Sequence, residues 1–99
     1  MFSRLVEYST KPGMREEATA RMQALEPKIM GLPGMVSFLN IIGEDRRGYI
    51  VTVMESRAAS DANAAKVAQL WAEFAPYLES MPQPRSFDVV AHWRNDPED

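Results

Sequence analysis

Apolar positions recur with two different periods along this chain. Residues 2–10 (FSRLVEYST) read as a strand, stopped by the turn signal Lys11-Pro12-Gly13. From about Met14 to Met30 the period changes: Met14, Ala18, Met22, Leu25 and Ile29 fall on one helical stripe, while Arg15, Glu16, Glu17, Arg21 and Lys28 fall off it. Pro27 has no N–H to donate, which predicts a kink or a break into two pieces. Gly31-Leu32-Pro33-Gly34 stops this helix. Met35–Ile42 and Tyr49–Glu55 read as strands joined by a hairpin loop over Gly43–Gly48. A second helix follows from about Ala58 to Leu78, with Ser56 or Ser60 as N-cap and a stripe of Val67, Leu70, Trp71, Phe74 and Leu78. Pro76 kinks or ends it, Met81-Pro82-Gln83-Pro84 forms a rigid connection, and Ser86–Arg94 is the last predicted strand.

The strands alternate poorly, and that is informative. Val36, Phe38 and Ile42 share one face of the second strand, yet Met35, Leu39 and Ile41 on the other are also apolar. In the third, Tyr49, Val51 and Val53 oppose Ile50 and Met54. An antiparallel sheet with one wet face alternates apolar and polar residues, so this sheet is expected to be covered on both sides. The order strand–helix–strand–strand–helix–strand predicts an α+β, ferredoxin-like βαββαβ fold, a four-stranded antiparallel sheet with two helices on one face. The other face then calls for a second copy of the chain, in a homodimer packed sheet to sheet; a monomer with scattered surface apolar residues is the other reading.

Composition narrows the function classes. The 99 residues suit one domain over 1–94, with an acidic tail over 95–99. A net charge of −3 without a basic stripe argues against nucleic acid. The N-terminus MFSRLVE carries charges where a signal peptide needs an apolar core, and no apolar run approaches the ~20 residues of a membrane span. A cytoplasmic protein with no membrane partner is the expectation. One histidine and no cysteine cannot build a zinc site or a two-His-one-carboxylate iron site within one chain, so no metal is expected. Neither a phosphate-binding glycine loop nor a nucleophile elbow is present.

Few residues remain to carry chemistry. His92, in the last predicted strand beside Trp93, is the one side chain that ordinarily titrates near neutrality. It is a candidate general base if its face turns toward the helices; otherwise it is a plain strand histidine. Trp71, Phe74 and Tyr77, with Tyr49 and Trp93, offer an aromatic wall for a flat ligand, or simply core. Asn40 interrupts an apolar strand face and needs a partner, either a ligand carbonyl or a neighbouring strand. Methionines such as Met14, Met22, Met30 and Met54 can line an adaptable pocket or fill core gaps. Arg4 and Asp88 are placed to pair across the first and last strands, and Glu7 falls on the face given to the partner copy.

Strand, Lys11-Pro12-Gly13 turn, helix, then Leu32-Pro33-Gly34-Met35-Val36-Ser37-Phe38, a charged hairpin, and a strand ending Met54-Glu55-Ser56 before a second helix resemble the antibiotic biosynthesis monooxygenase domain. That domain is a branch of the dimeric α+β barrel superfamily, and the likeness covers residues 2–94. It implies a barrel dimer with a pocket in each subunit between sheet and helices. The implied activity is a cofactor-independent monooxygenase acting on a small aromatic, quinol or anthrone substrate. The same superfamily holds haem-degrading enzymes, isomerases and ligand-binding proteins, so a domain binding a small apolar metabolite without this chemistry is the alternative. The anthrone oxygenases carry Asn, Trp and Tyr where this chain has Ile50, Met54 and Ser60, and members often carry a His where it has Asn63. The haem-degrading branch has an Asn on the first strand and a His on the second helix, and neither is evident here. Thr52 shares the face of Ile50 and Met54, where those oxygenases place their catalytic groups. The candidate substrate-binding set is then Trp71, Phe74 and Asn40, read from the residues themselves, with Thr52 and Met54 on the face the resemblance points to, and His92 is the candidate base.

Overall fold

Side-chain alternation along the first strand separates two faces of the sheet. In the computed structural model, which describes residues 1–95, β1 spans Phe2–Ser9, with Phe2, Val6 and Tyr8 buried and Glu7 exposed. Strands β2 (Met35–Ile42), β3 (Arg47–Met54) and β4 (Pro84–Asp88) complete an antiparallel sheet of order β2-β3-β1-β4. That order, with a helical crossover on each side of the central hairpin, is the ferredoxin-like arrangement. The hairpin loop is shorter than its composition suggests, because Arg47 and Gly48 already pair with Ser9 and Tyr8. Arg46, at φ 67°, closes it, with its N–H donating to the Gly43 carbonyl.

Each predicted helix is divided in two. The first becomes α1 (Arg15–Ala24) and α2 (Glu26–Met30), broken at Leu25 just ahead of Pro27, whose nitrogen has no proton for the previous turn. The second becomes α3 (Arg57–Ala62) and α4 (Ala64–Phe74), followed by a 3₁₀ turn over Ala75–Tyr77 that contains Pro76. Ser56 is the N-cap of α3, its hydroxyl accepting from the Ala59 N–H at 3.1 Å. The break at Asn63 has no proline behind it. Asn63 is buried, and its Nδ2 donates to the carbonyls of Pro33 at 2.8 Å and Ala59 at 2.9 Å. An amide that bonds locally to backbone competes with the helical ladder, and here it also ties the helix to the Pro33-Gly34 turn.

The helices cover the face that carries Val6, Tyr8 and Ile50, and Leu25, Ile29, Phe74 and Leu78 close the core above them. Both predicted helical stripes contribute to this packing. Three details depart from expectation. A bulge between Met35 and Ser37 puts Met35 opposite Met54, on the helix side with Phe38 rather than on the outer face. The β1–β4 register pairs Arg4 with Ser86 and Phe2 with Asp88, so Arg4 does not meet Asp88; it bonds to Asp61 on α3 at 3.1 Å. The last strand ends at Asp88 instead of Arg94, because the ladder closes with Val89 N–H donating to the Met1 carbonyl. The chain then leaves the sheet edge, and His92 reaches β2, its Nε2 3.3 Å from the Ser37 hydroxyl.

Opposite the helices the sheet presents an apolar surface. Leu39, Ile41, Tyr49 and Phe87 are 56%, 52%, 36% and 42% exposed, far more than side chains of this kind on a covered sheet face. Glu7 lies on this side and pairs with Arg47 at 3.6 Å. Of the predicted acidic tail, residues 96–99 lie outside the described residues. No described helix is long and apolar enough to cross a membrane.

Candidate functional site

A cavity of about 290 Å³ opens between the helices and the sheet. Its floor is Val6, Ile50, Thr52 and Met54 and its roof includes Trp71 and Phe74. The geometry follows from two periods meeting. Inward strand positions alternate across β1 and β3, while Trp71 and Phe74, three apart on α4, face down onto them. The rings of Trp71 and Phe74 lie 6.0 Å apart and tilted by 59°, and Trp71 makes a similar contact with Tyr8 at 6.4 Å. Met22, Met35 and Met81 add pliable sulfur-containing surface.

Polar groups cluster at one corner. Arg4, Thr52 and Ser60 line the cavity, and no hydrogen bond joins either hydroxyl to another described residue. Arg4 points the same way as Phe2, Val6 and Tyr8, so a cation occupies a position in phase with core residues. One of its terminal nitrogens bonds to Asp61, while its Nε–H is buried with no acceptor among the described residues. Among the described residues no carboxylate and no imidazole line the cavity.

Of the residues singled out from the sequence, Trp71, Phe74, Thr52 and Met54 are brought together here. Asn40 is not. It lines a separate space of about 20 Å³ with Tyr8 and Thr10, and its Oδ1 accepts from the Tyr8 hydroxyl at 2.7 Å. His92 is on the far side of the sheet: Ser37, its neighbour, pairs with Val53 on the outer face. Tyr49 is on that face too, and Trp93 is 92% exposed, so the aromatic wall reduces to Trp71, Phe74 and the strand residue Phe38. Sequence reasoning assigned Arg4 to a strand pair and overlooked it as a lining residue; its parity with Phe2, Val6 and Tyr8 was the available signal.

Burial pushes the Tyr8 phenol above its ordinary value, with the Arg15 guanidinium acting in the opposite direction. The folded chain therefore favours the neutral phenol. Its contribution to stability is full below the unfolded value of about 10 and is lost as pH rises through the higher folded value. Tyr8→Phe should cost about 0.5–1.5 kcal/mol at neutral pH through the lost bond to Asn40. It should also flatten the fall in stability above pH ~10. Urea midpoints of both proteins from neutral to alkaline pH check this; parallel curves would contradict it.

The polypeptide path has well-defined relatives among solved structures. A candidate antibiotic biosynthesis monooxygenase from Nitrosomonas europaea superimposes with a TM-score of 0.76 at 15% identity, covering 92% of this chain and all of that one. The fold is that of the antibiotic biosynthesis monooxygenases. A second Nitrosomonas europaea protein, NE2512, of unknown function, shares it with a TM-score of 0.80 at 16% identity, over 97% of this chain and 95% of its own. So does the haem-degrading MhuD of Mycobacterium tuberculosis, with two haems bound in its active site (TM-score 0.74, 21% identity, 95% of this chain and 100% of that one). No family model and no curated protein matches the sequence. At these identities the likeness establishes the fold and leaves the chemistry to the site.

Proposed function

We propose that this chain is a monooxygenase-like domain that takes a small, flat, largely apolar molecule into the cavity beneath Trp71 and Phe74, and that it works as a homodimer. The observation that carries the reading is the cavity itself: an apolar, aromatic-roofed space with a single polar corner. Ligand sites run from about 300 to 1,000 Å³, so a space of about 290 Å³ suits a compact ring system. A haem, as held by MhuD, is a poor fit, since the lining offers no imidazole for its iron.

Cofactor-independent oxygenation is a reaction class compatible with this fold and lining. In it the substrate supplies every electron. A ring methylene activated by a neighbouring carbonyl loses a proton to give a carbanion, which reduces dioxygen; the methylene becomes a carbonyl and the second oxygen atom leaves as water. The protein contributes orientation and exclusion of water. No described carboxylate or imidazole lines the cavity, so the substrate gives its proton to solvent water before it enters as its anion, and the proposal does not use His92. That absence also favours the second reading, a domain that binds such a molecule without transforming it.

Dimerisation is supported by the exposed apolar face bearing Leu39, Ile41, Tyr49 and Phe87. Oxygen uptake with a reduced anthrone or quinol tests the activity, run beside light scattering on the same sample. Uptake above the buffer rate, at least ~10-fold reduced in Trp71→Ala and unchanged in His92→Ala, is the expected result. Uptake equal to buffer, with the substrate still bound, would leave the binding reading in place. A mass of one 11.2 kDa chain would overturn the dimer.

A further inference from the structure

We propose that Arg4 makes this cavity selective for ligands carrying one acidic oxygen, a carboxylate or the anion of a ring hydroxyl, on an otherwise apolar planar frame. The inference rests on the cavity being a ligand site and adds to it the charge of what enters. Arg4 occupies an inward position of β1, where its neighbours on the same face are Phe2, Val6 and Tyr8, all buried. A guanidinium in such a row is costly unless its donors are used. Its use is incomplete: one terminal nitrogen meets Asp61 at 3.1 Å, and the Nε–H is shielded from solvent with no acceptor.

The Arg4 and Arg57 guanidinium carbons stand 5.9 Å and 5.5 Å from the centre of the Phe2 ring. Asp61, itself largely exposed, is the carboxylate that pairs with Arg4, and no carboxylate among the described residues pairs with Arg57. Asp88, opposite Phe2 in the β1–β4 ladder, is a second carboxylate on this face, so Arg4 acts on a ligand by direct contact and not through a net charge. Thr52, opposite Arg4 in the β1–β3 ladder, and Ser60, buried on α3, add hydroxyls without protein partners. An anionic oxygen seated there gains a charge-assisted bond from the exposed part of the guanidinium, whose side chain is 31% exposed where it lines the cavity. A neutral ligand of the same shape gains no charge-assisted bond.

A matched pair of probes separates charge from shape: 2-naphthoate and the neutral 2-acetonaphthone, titrated calorimetrically into the full chain at neutral pH. Wild type should bind the carboxylate about tenfold or more tightly than the ketone, as one charge-assisted bond supplies. Arg4→Met should remove that preference while holding ketone affinity within about twofold. In wild type the Arg4 Nε–H resonance should move much further on adding naphthoate than on adding the ketone. Should Arg4→Met fail to fold, this resonance still decides. Ketone binding without preference for the carboxylate, or a preference that survives Arg4→Met, overturns the assignment to Arg4 and spares the cavity as a ligand site. If neither probe enters, the cavity reading fails and this inference with it.

Discussion

Phe74→Ala is expected to lower the stability of the folded chain by about 3–5 kcal/mol, the largest effect of any single truncation on α4. Phe74 is 5% exposed and packs with Val6, Tyr8, Leu25, Ile29, Ile50 and Leu78. Two spaces border it, the main cavity and the small one beside Asn40, so the lost ring would join them into one larger void. Surrounding atoms cannot collapse into a void that already has empty neighbours, which places the cost toward the upper part of the usual range. Small domains hold only about 5–15 kcal/mol in total, so the variant should unfold at a far lower urea concentration. Phe74→Leu, which keeps much of the volume, should cost under ~1.5 kcal/mol. Chain concentration must be equal in both experiments if the protein is a dimer, since association adds to apparent stability. A loss below ~1 kcal/mol for Phe74→Ala would mean that α4 does not seal this core.

The same residue serves two ends, and this explains why the cavity persists. A core packed to ordinary density leaves no room for a ligand. Here Trp71 is half-buried while Phe74, one turn on, is fully buried. The inner end of α4 therefore closes the core and the outer part stands over open space. Arg4 follows the same division along β1: Tyr8 reaches the sealed end, Val6 borders both core and cavity, and Arg4 lies at the end where the lining turns polar. Stability and binding thus overlap at Val6 and Phe74 and separate toward Tyr8 on one side and Arg4 on the other.

Much of this architecture was legible in the residues. The stripe Val67, Leu70, Trp71, Phe74, Leu78 fixed which side of the second helix faces the sheet, and Pro27 announced the break in the first. The two-sided apolar pattern of β2 and β3 correctly implied an apolar outer face. What escaped depends on register, which one-strand patterns do not contain. The bulge at Val36 moved Met35 to the helix side. The β1–β4 register ended the last strand at Asp88 and sent His92 to the outer face. The helix break at Asn63 rests on a tertiary bond to Pro33, thirty residues away in sequence, that no local propensity reports. Arg4 was missed as a lining residue because a charge in a strand is ordinarily read as a surface pair.

Gly48 supplies the second large expected effect. It faces the helices opposite Tyr8, and a Cβ built at this position would stand 2.4–2.7 Å from atoms of the Tyr8 ring and hydroxyl. The obstacle is an aromatic ring wedged against Trp71, not the loose end of a flexible chain. Gly48→Ala must therefore displace Tyr8, lengthening its hydrogen bond to Asn40 and disturbing the roof over the cavity. Overpacking of this kind costs about 2–3 kcal/mol. Removing the ring's hydroxyl does not relieve it, since two of the three closest atoms are ring carbons. The double variant Tyr8→Leu with Gly48→Ala should recover part of the loss, giving a coupling of about 1 kcal/mol or more, because residues in contact do not add. Urea unfolding of the two single variants and the double variant measures that coupling. Strict additivity would show that the glycine is required by the hairpin backbone and not by the tyrosine across from it.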